Sequence, residues 1–307
     1  MRILVTGGGG FIGRHLVREL SERGHEVAST TLSTLTPYGR VAVPDAVRSF
    51  SADLDDVARL SEIVSETRPE CVVHLAGVAL VTHPEKIEFY RTNVLGTENL
   101  LEAVVRAAPG SHVILASTAG VYGNQGGELL AETQEPTPAN HYSMSKLVME
   151  HVARQFQDRL RIRIVRPFNI IGYGQSEAFL VPKLVRHYVE RTPRVALGNI
   201  EPLRDYVDIR DCVRIVSDLT ALPPERFDVV NLCSGRGTSV KQVFEMLADI
   251  TGHRPALDID PQLVRANEVW RMVGSDAKLR SIVGRGAVAT LRDTLTSMLS
   301  YYRTHDA

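Results

Sequence analysis

Residues 3–13 read Ile3-Leu4-Val5-Thr6-Gly7-Gly8-Gly9-Gly10-Phe11-Ile12-Gly13. A short apolar run, which reads as a strand, enters a run of glycines. A helical pattern follows over residues 12–23, with Leu16, Val17 and Leu20 on one face. Gly7, Gly10 and Gly13 are spaced G-x-x-G-x-x-G. Lacking side chains, they let the backbone approach a pyrophosphate closely. The helix start at Phe11 and Ile12 supplies free N–H groups and a partial positive charge. A glycine-rich turn can be only a turn. Here the strand before it and the helix after it supply the context for dinucleotide binding.

Outward from that loop, apolar runs alternate with amphipathic stretches. Gly24 stands at a helix C-cap, and residues 25–28 read as a second strand. Val47 to Ser51 reads as a third. Asp55 to Thr67 reads as a helix with Val57, Leu60, Ile63 and Val64 aligned, ended by Pro69. Residues 71–75 and 112–116 are nearly continuous apolar runs, as in strands covered on both faces. A helix is predicted between them over about 84–108. Another is predicted over about 141–158, before a strand at 162–165. The fold class is therefore α/β, a doubly wound parallel sheet with a smaller C-terminal substrate-binding cap. The dinucleotide-binding domain is predicted over 1–170, with a returning strand and helix near 206–235. The cap takes 171–205 and 236–307.

Composition is that of an ordinary globular chain: 307 residues, 44% hydrophobic, 23% charged, net charge -1. That balance argues against a basic nucleic-acid binder. No apolar run reaches the roughly 18 residues of a membrane span, and the start lacks a signal-peptide layout. Cys71, Cys212 and Cys233 are widely spaced, with no CxxC pair. A disulfide framework or zinc cluster is not expected, and a reducing cytoplasm is. The histidines, His74, His83, His141 and His151 among them, show no metal-site spacing. Cys71 and Cys233 read as core.

Two further features carry chemistry. The second strand ends in Ser29-Thr30-Thr31 without the acid that would bind the ribose hydroxyls of NAD. Hydroxyls at Thr30 and Thr31, with Arg14 or Arg40, suit a 2'-phosphate. NADP(H) is favoured and NAD(H) stays open. Tyr142 and Lys146 are four apart on a predicted helix, one turn from each other. An ammonium beside a phenol lowers its pKa and makes it a usable acid or base. Ser117-Thr118 follows the strand at 112–116 and delivers hydroxyls to the sheet's carboxyl edge.

Together these residues resemble the extended short-chain dehydrogenase/reductase family, in its nucleotide-sugar (epimerase/dehydratase) branch, over essentially the whole chain. The resemblance implies a Rossmann fold and roles for further residues. Asp53-Leu54 resembles the acidic segment at adenine. Leu75, Ala76 and Gly77 fall beside the cofactor. Asn93 of Asn93-Val94-Leu95-Gly96-Thr97 is the residue that organises the site. Thr118, Tyr142 and Lys146 form the catalytic set, with Ser117 the neighbouring alternative. Arg166-Pro167-Phe168-Asn169 resembles a segment whose Pro167 lies by the cofactor and whose Asn169 meets substrate. Arg204 resembles a diphosphate ligand, with a surface ion pair to Asp205 as the plainer reading. Arg265 and Glu268 resemble a cap motif in which Ala266 replaces a proline.

The family's dehydratases carry an Asp-Glu pair after the catalytic Thr, where this chain has Ala119-Gly120. Dehydration is therefore set aside. Stretches 168–175, 197–205 and 231–238 resemble the GDP-4-keto-6-deoxymannose reductases. The resemblance thus implies reduction of a C4 ketone on a nucleotide-diphosphate sugar, GDP-4-keto-6-deoxy-D-mannose to GDP-D-rhamnose. A 4-epimerase with tightly bound NAD and a non-catalytic cofactor-binding scaffold are the alternatives. Helices near 93–107 and 141–157 resemble the family's homodimer interface.

Overall fold

The computed structural model describes residues 1–32, 43–125, 127, 129–264 and 268–305. Thirteen strands are described. In the first half they are β1 (Arg2–Thr6), β2 (Glu26–Thr31), β3 (Arg48–Ser51), β4 (Cys71–His74), β5 (His112–Ala116) and β6 (Arg161–Pro167). The second half adds β7 (Asn169–Ile171), β8 (Arg194–Leu197), β9 (Leu203–Asp208), β10 (Phe227–Leu232), β11 (Gly237–Ser239), β12 (Ala256–Ile259) and β13 (Arg271–Met272). Ten α-helices accompany them: α1 (Phe11–Glu22), α2 (Val57–Thr67), α3 (Lys86–Tyr90), α4 (Gly96–Ala107), α5 (His141–Arg154), α6 (Leu180–Val189), α7 (Ile209–Thr220), α8 (Val240–Thr251), α9 (Ala277–Val283) and α10 (Leu291–His305).

Seven strands form one parallel sheet in the order β10-β6-β5-β4-β1-β2-β3. The chain winds outward from β1 to β3, then returns to β4 and winds the other way. The reversal between β1 and β4 opens a crevice at the carboxyl edge, where such sheets bind ligands. Alternate strand residues enter opposite cores. Ile3, Val5, Cys71, Val73 and Ile114 pack with α1 and α7. Leu4, Val72, Val113 and Leu115 pack with α2, α4 and α5. This explains the unbroken apolar runs.

The helix predicted over 84–108 is divided. A π-helical turn at Arg91–Leu95 separates α3 from α4. The wider turn carries Asn93, whose buried amide reaches out of the helix (below). Gly96 follows because a Cβ there would come 2.7 Å from Leu54 Cβ. β2 runs three residues past the predicted Ala28, in register with β1 as far as Thr6↔Thr30.

The second half adds another core, in which α6, α8 and α10 pack through Leu184, Tyr188, Phe244, Leu247, Leu295 and Met298. β9 pairs with β7, β11 and β13 in a small mixed sheet. Among the described residues no helix is long and apolar enough to cross a membrane.

Candidate active site

The glycine loop is built for backbone approach. Gly7 has φ +72°, and a Cβ on it would lie 2.7 Å from the Ala76 nitrogen. The loop therefore lies directly against Leu75-Ala76 at the end of β4. A Cβ on Gly13 would lie 2.1 Å from the Gly7 carbonyl oxygen. Gly10 is the N-cap of α1 and offers no side-chain cap. The first N–H groups of α1, at Phe11 and Ile12, are thus left without a side-chain cap, behind a loop that only glycine can form. These residues fit a pyrophosphate. Arg14 donates from Nε to the Gly9 carbonyl at 2.8 Å.

The other end of that site is less uniform. Thr30 is buried and Thr31 is partly exposed at the end of β2. Arg40 lies outside the described residues. Asp53 is exposed, while Leu54 is buried under α4.

Three consecutive residues at the end of β5 meet three consecutive turns of α5. The Lys146 ammonium donates to the Ala116 carbonyl at 2.8 Å. The Ser117 hydroxyl donates to Glu150. The Thr118 hydroxyl lies by the Tyr142 phenol and favours its ionised form. α5 starts cleanly because Asn140 caps it, accepting from the Ser143 N–H at 2.9 Å. Thr118 and Tyr142 are thus brought together. Ser117 is 2% exposed and turned away toward Glu150, which leaves Thr118 as the hydroxyl beside Tyr142.

One sequence expectation is corrected. The Tyr142 phenol is held above its usual range by burial, and only the Thr118 hydroxyl opposes this. Burial, not Lys146, dominates the phenol's environment here. Lys146 itself is pushed down to about 8 by burial, with Glu150 opposing. Tyr142 is therefore a neutral proton donor near pH 7.

Around this set, Asn93 accepts from the Val78 N–H at 2.9 Å and donates to the Ser145 hydroxyl at 3.1 Å. A Cβ on Gly77 would meet Asn93 Oδ1 at 2.6 Å and Lys146 Nζ at 3.4 Å. His74 is pushed down to about 3 by burial, with Lys146 adding to the effect. It bridges Thr6 at 2.6 Å and Thr97 at 2.9 Å. Thr97 gives its own proton to the Asn93 carbonyl, so the neutral imidazole donates from Nε2 and accepts at Nδ1. Ala119 is buried, and a Cβ on Gly120 would lie 2.4 Å from Ser143 Oγ. Neither residue carries the acid pair that elimination needs.

The residues compared to substrate ligands are only partly assembled. Arg204 pairs with Glu268 at 2.7 Å and donates to the Val269 carbonyl at 2.6 Å. Arg204 does not pair with Asp205. That carboxylate is buried and accepts from Ser234, Gly235 and Gly274. Asn169 donates to the Asp205 carbonyl at 3.1 Å. Pro167 ends β6 at the same edge. Arg265 lies outside the described residues. Sequence reasoning missed Asp205 as a hub and the buried pair Glu150–Arg166, in which Arg166 donates at 3.0 and 2.6 Å.

A doubly wound sheet with a glycine loop at its reversal and a Thr-Tyr-Lys set beside it defines the extended short-chain dehydrogenase/reductase architecture. Residues 3–232 match the NAD dependent epimerase/dehydratase family, and the chain belongs to it. It is 37% identical over 286 residues to GDP-6-deoxy-D-talose 4-dehydrogenase of Aggregatibacter actinomycetemcomitans, covering 92% of each chain. It is 30% identical over 310 residues to GDP-6-deoxy-D-mannose reductase of Pseudomonas aeruginosa, covering 97% of this chain and 96% of that one. Among solved structures, UDP-glucose 4-epimerase of Thermus thermophilus with NAD superposes with TM-score 0.87 at 30% identity, over 99% of this chain and 100% of that one. RMD from Pseudomonas aeruginosa with NADPH gives 0.82 at 28% identity, with the same coverage.

Proposed function

We propose that this chain is an NADP(H)-dependent 4-ketoreductase of a nucleotide-activated 4-keto-6-deoxyhexose, with GDP as the nucleotide. The observation that carries this is the Thr118–Tyr142–Lys146 set at the crevice, beside Ala119-Gly120, which carry no elimination acid. The two relatives named above support the sugar class. The sugars in their names, GDP-6-deoxy-D-talose and GDP-6-deoxy-D-mannose, differ only in configuration at C4. Both yield the same 4-keto sugar on oxidation. GDP-4-keto-6-deoxy-D-mannose is therefore the substrate proposed here, and GDP-D-rhamnose the product, with the C4 epimer as the other outcome.

A bound reduced nicotinamide would supply the hydride. Tyr142, neutral at pH 7, gives its proton to the C4 oxygen as negative charge develops there. Thr118 hydrogen-bonds the same oxygen. Lys146, one turn along α5, is placed to hold a ribose hydroxyl. Arg204, oriented by Glu268, with Arg265 and Asn169, takes the diphosphate and sugar. Residues 171–205 and 236–307 act as the cap that fixes the sugar for attack.

The test is NADPH and NADH oxidation with GDP-4-keto-6-deoxymannose, with dTDP-4-keto-6-deoxyglucose in parallel, and the product's C4 configuration read by NMR. Consumption with the GDP sugar supports the reading. Interconversion of C4 epimers without net oxidation, in protein carrying NAD, replaces it with the epimerase. Cofactor binding with neither activity replaces it with a scaffold.

The cofactor preference has its own test. Thr31→Asp puts a carboxylate where a 2'-phosphate would lie. The ratio of kcat/KM for NADPH over NADH should fall by about tenfold or more through charge repulsion. An unchanged ratio would move phosphate recognition elsewhere. We also infer a homodimer through α4 and α5, whose neighbourhood exposes Leu95 and Met144. Sedimentation at the monomer mass would remove that inference.

A further inference from the structure

Tyr142, Lys146 and Glu150 stand on one face of α5 at intervals of four. The first two act on the proposed chemistry; the third is buried beneath them. Glu150 is 6% exposed and Arg166, on β6, is 4% exposed. Arg166 grips both Glu150 oxygens, one from Nε and one from Nη2. Glu150 Oε1 also accepts from Ser117. The Arg166 guanidinium lies 4.9 Å above the Tyr122 ring, and Tyr122 donates to Asn231 Oδ1 at 2.7 Å. The end of β5 is thus held in two successive grips, Ala116 by Lys146 and Ser117 by Glu150, with Thr118 next along beside Tyr142.

We propose that Glu150 is a positioning residue: braced by Arg166, it holds Ser117 and so fixes the end of β5 against α5, setting Thr118 beside Tyr142. A burial this deep needs a purpose beyond stability, because buried ion pairs often add little over apolar packing. Loss of the Ser117 tie would free the strand end, and a misplacement of about 1 Å can cost up to 100-fold in rate. Glu150 also faces Lys146 and favours its charged form. Neutral His74 on β4 also feels that ammonium, and Tyr142 lies one turn away on α5. Glu150 is the anion among them. The kinetic arm of this proposal rests on the ketoreductase reading; its spectroscopic arm does not.

The chain has only five lysines, so the Lys146 side chain can be followed by NMR in protein carrying isotope-labelled lysine. In Glu150→Gln the Lys146 titration midpoint should fall by about one unit. Its kcat should fall about tenfold or more, with KM for the nucleotide sugar within about threefold. Glu150→Asp keeps the charge and should restore the midpoint. An unmoved midpoint with wild-type kcat in Glu150→Gln overturns the proposal. If Glu150→Gln does not fold, Ser117→Ala decides, since it leaves the ion pair intact. A fall in kcat of about fivefold at unchanged thermal stability supports positioning, and wild-type kcat overturns it. If the wild-type protein reduces no sugar ketone, the ketoreductase reading fails on its own. The lysine titration then still decides the role of Glu150.

Discussion

Tyr142→Phe should lower kcat by about 10² to 10⁴-fold, the usual worth of a positioned proton donor. NADPH and nucleotide-sugar affinities should stay within about threefold, because the lost oxygen acts mainly in the transition state. The fold should hold. Phenylalanine keeps the ring that packs 6.0 Å from Phe89, and α5 keeps its Asn140 cap. What disappears is the hydroxyl beside Thr118, and with it the neutral donor that burial maintains. Stopped-flow single turnover with bound NADPH separates this loss from slow product release. Wild-type turnover in Tyr142→Phe would remove the tyrosine from the mechanism and leave Thr118 as the candidate donor. The pH profile of the wild type gives a second reading of the same site. Lys146 loses its proton near pH 8 because burial disfavours its charge. Activity that needs the ammonium should therefore decline as pH rises through about 8, not through the 10.4 or so of a free lysine.

Much of this site is legible in the sequence. The glycine loop announced itself because each glycine answers a local steric demand, and local demands leave marks in sequence. The strands of the central sheet did so because both faces are covered. The helix-face spacing of Tyr142 and Lys146 was equally visible, whereas Glu150, one turn further, went unread. What that spacing could not convey is which strand each side chain reaches. Ser117 and Arg166 lie 33 and 16 residues from Glu150. No local pattern predicts that β5 and β6 bring them to one carboxylate. The Tyr142 expectation erred for a related reason. Charge proximity was readable from spacing on a helix, whereas desolvation depends on everything packed around the phenol. Arg204 shows the same limit. Its neighbour Asp205 suggested an ion pair along the chain, yet successive strand residues point to opposite faces. Asp205 therefore serves the backbone at Ser234, Gly235 and Gly274, and Arg204 finds Glu268 across the small sheet.

Gly13→Ala should weaken NADPH binding by at least about 100-fold, equivalent to about 2.7 kcal/mol. The added methyl would sit 2.1 Å from the Gly7 oxygen and 2.8 Å from Gly8 Cα. Both are backbone atoms, so no flexible side chain can swing aside. The glycine turn must move away from α1, and the N–H groups of Phe11 and Ile12 then lose their common aim. Gly7 cannot absorb the movement. It is already left-handed, at φ +72°, and pressed against Ala76. Overpacking of this kind costs about 1–3 kcal/mol in stability as well, so the melting temperature of the free protein should drop. Gly110→Ala is the matched control, because a Cβ there meets nothing within 4 Å and its backbone is not left-handed. Fluorescence titration of NADPH against both variants and the wild type reads the difference directly. Wild-type affinity in Gly13→Ala would mean that the pyrophosphate does not rest on this loop. The hydride donor would then have to approach Tyr142 from some other edge of the sheet. The reversal between β1 and β4 makes that outcome costly to explain, since it brings the glycine loop, Ala76, Gly77 and Lys146 to one crevice. Loss of affinity confined to Gly13→Ala ties the cofactor to that crevice and places its reactive end beside Thr118 and Tyr142.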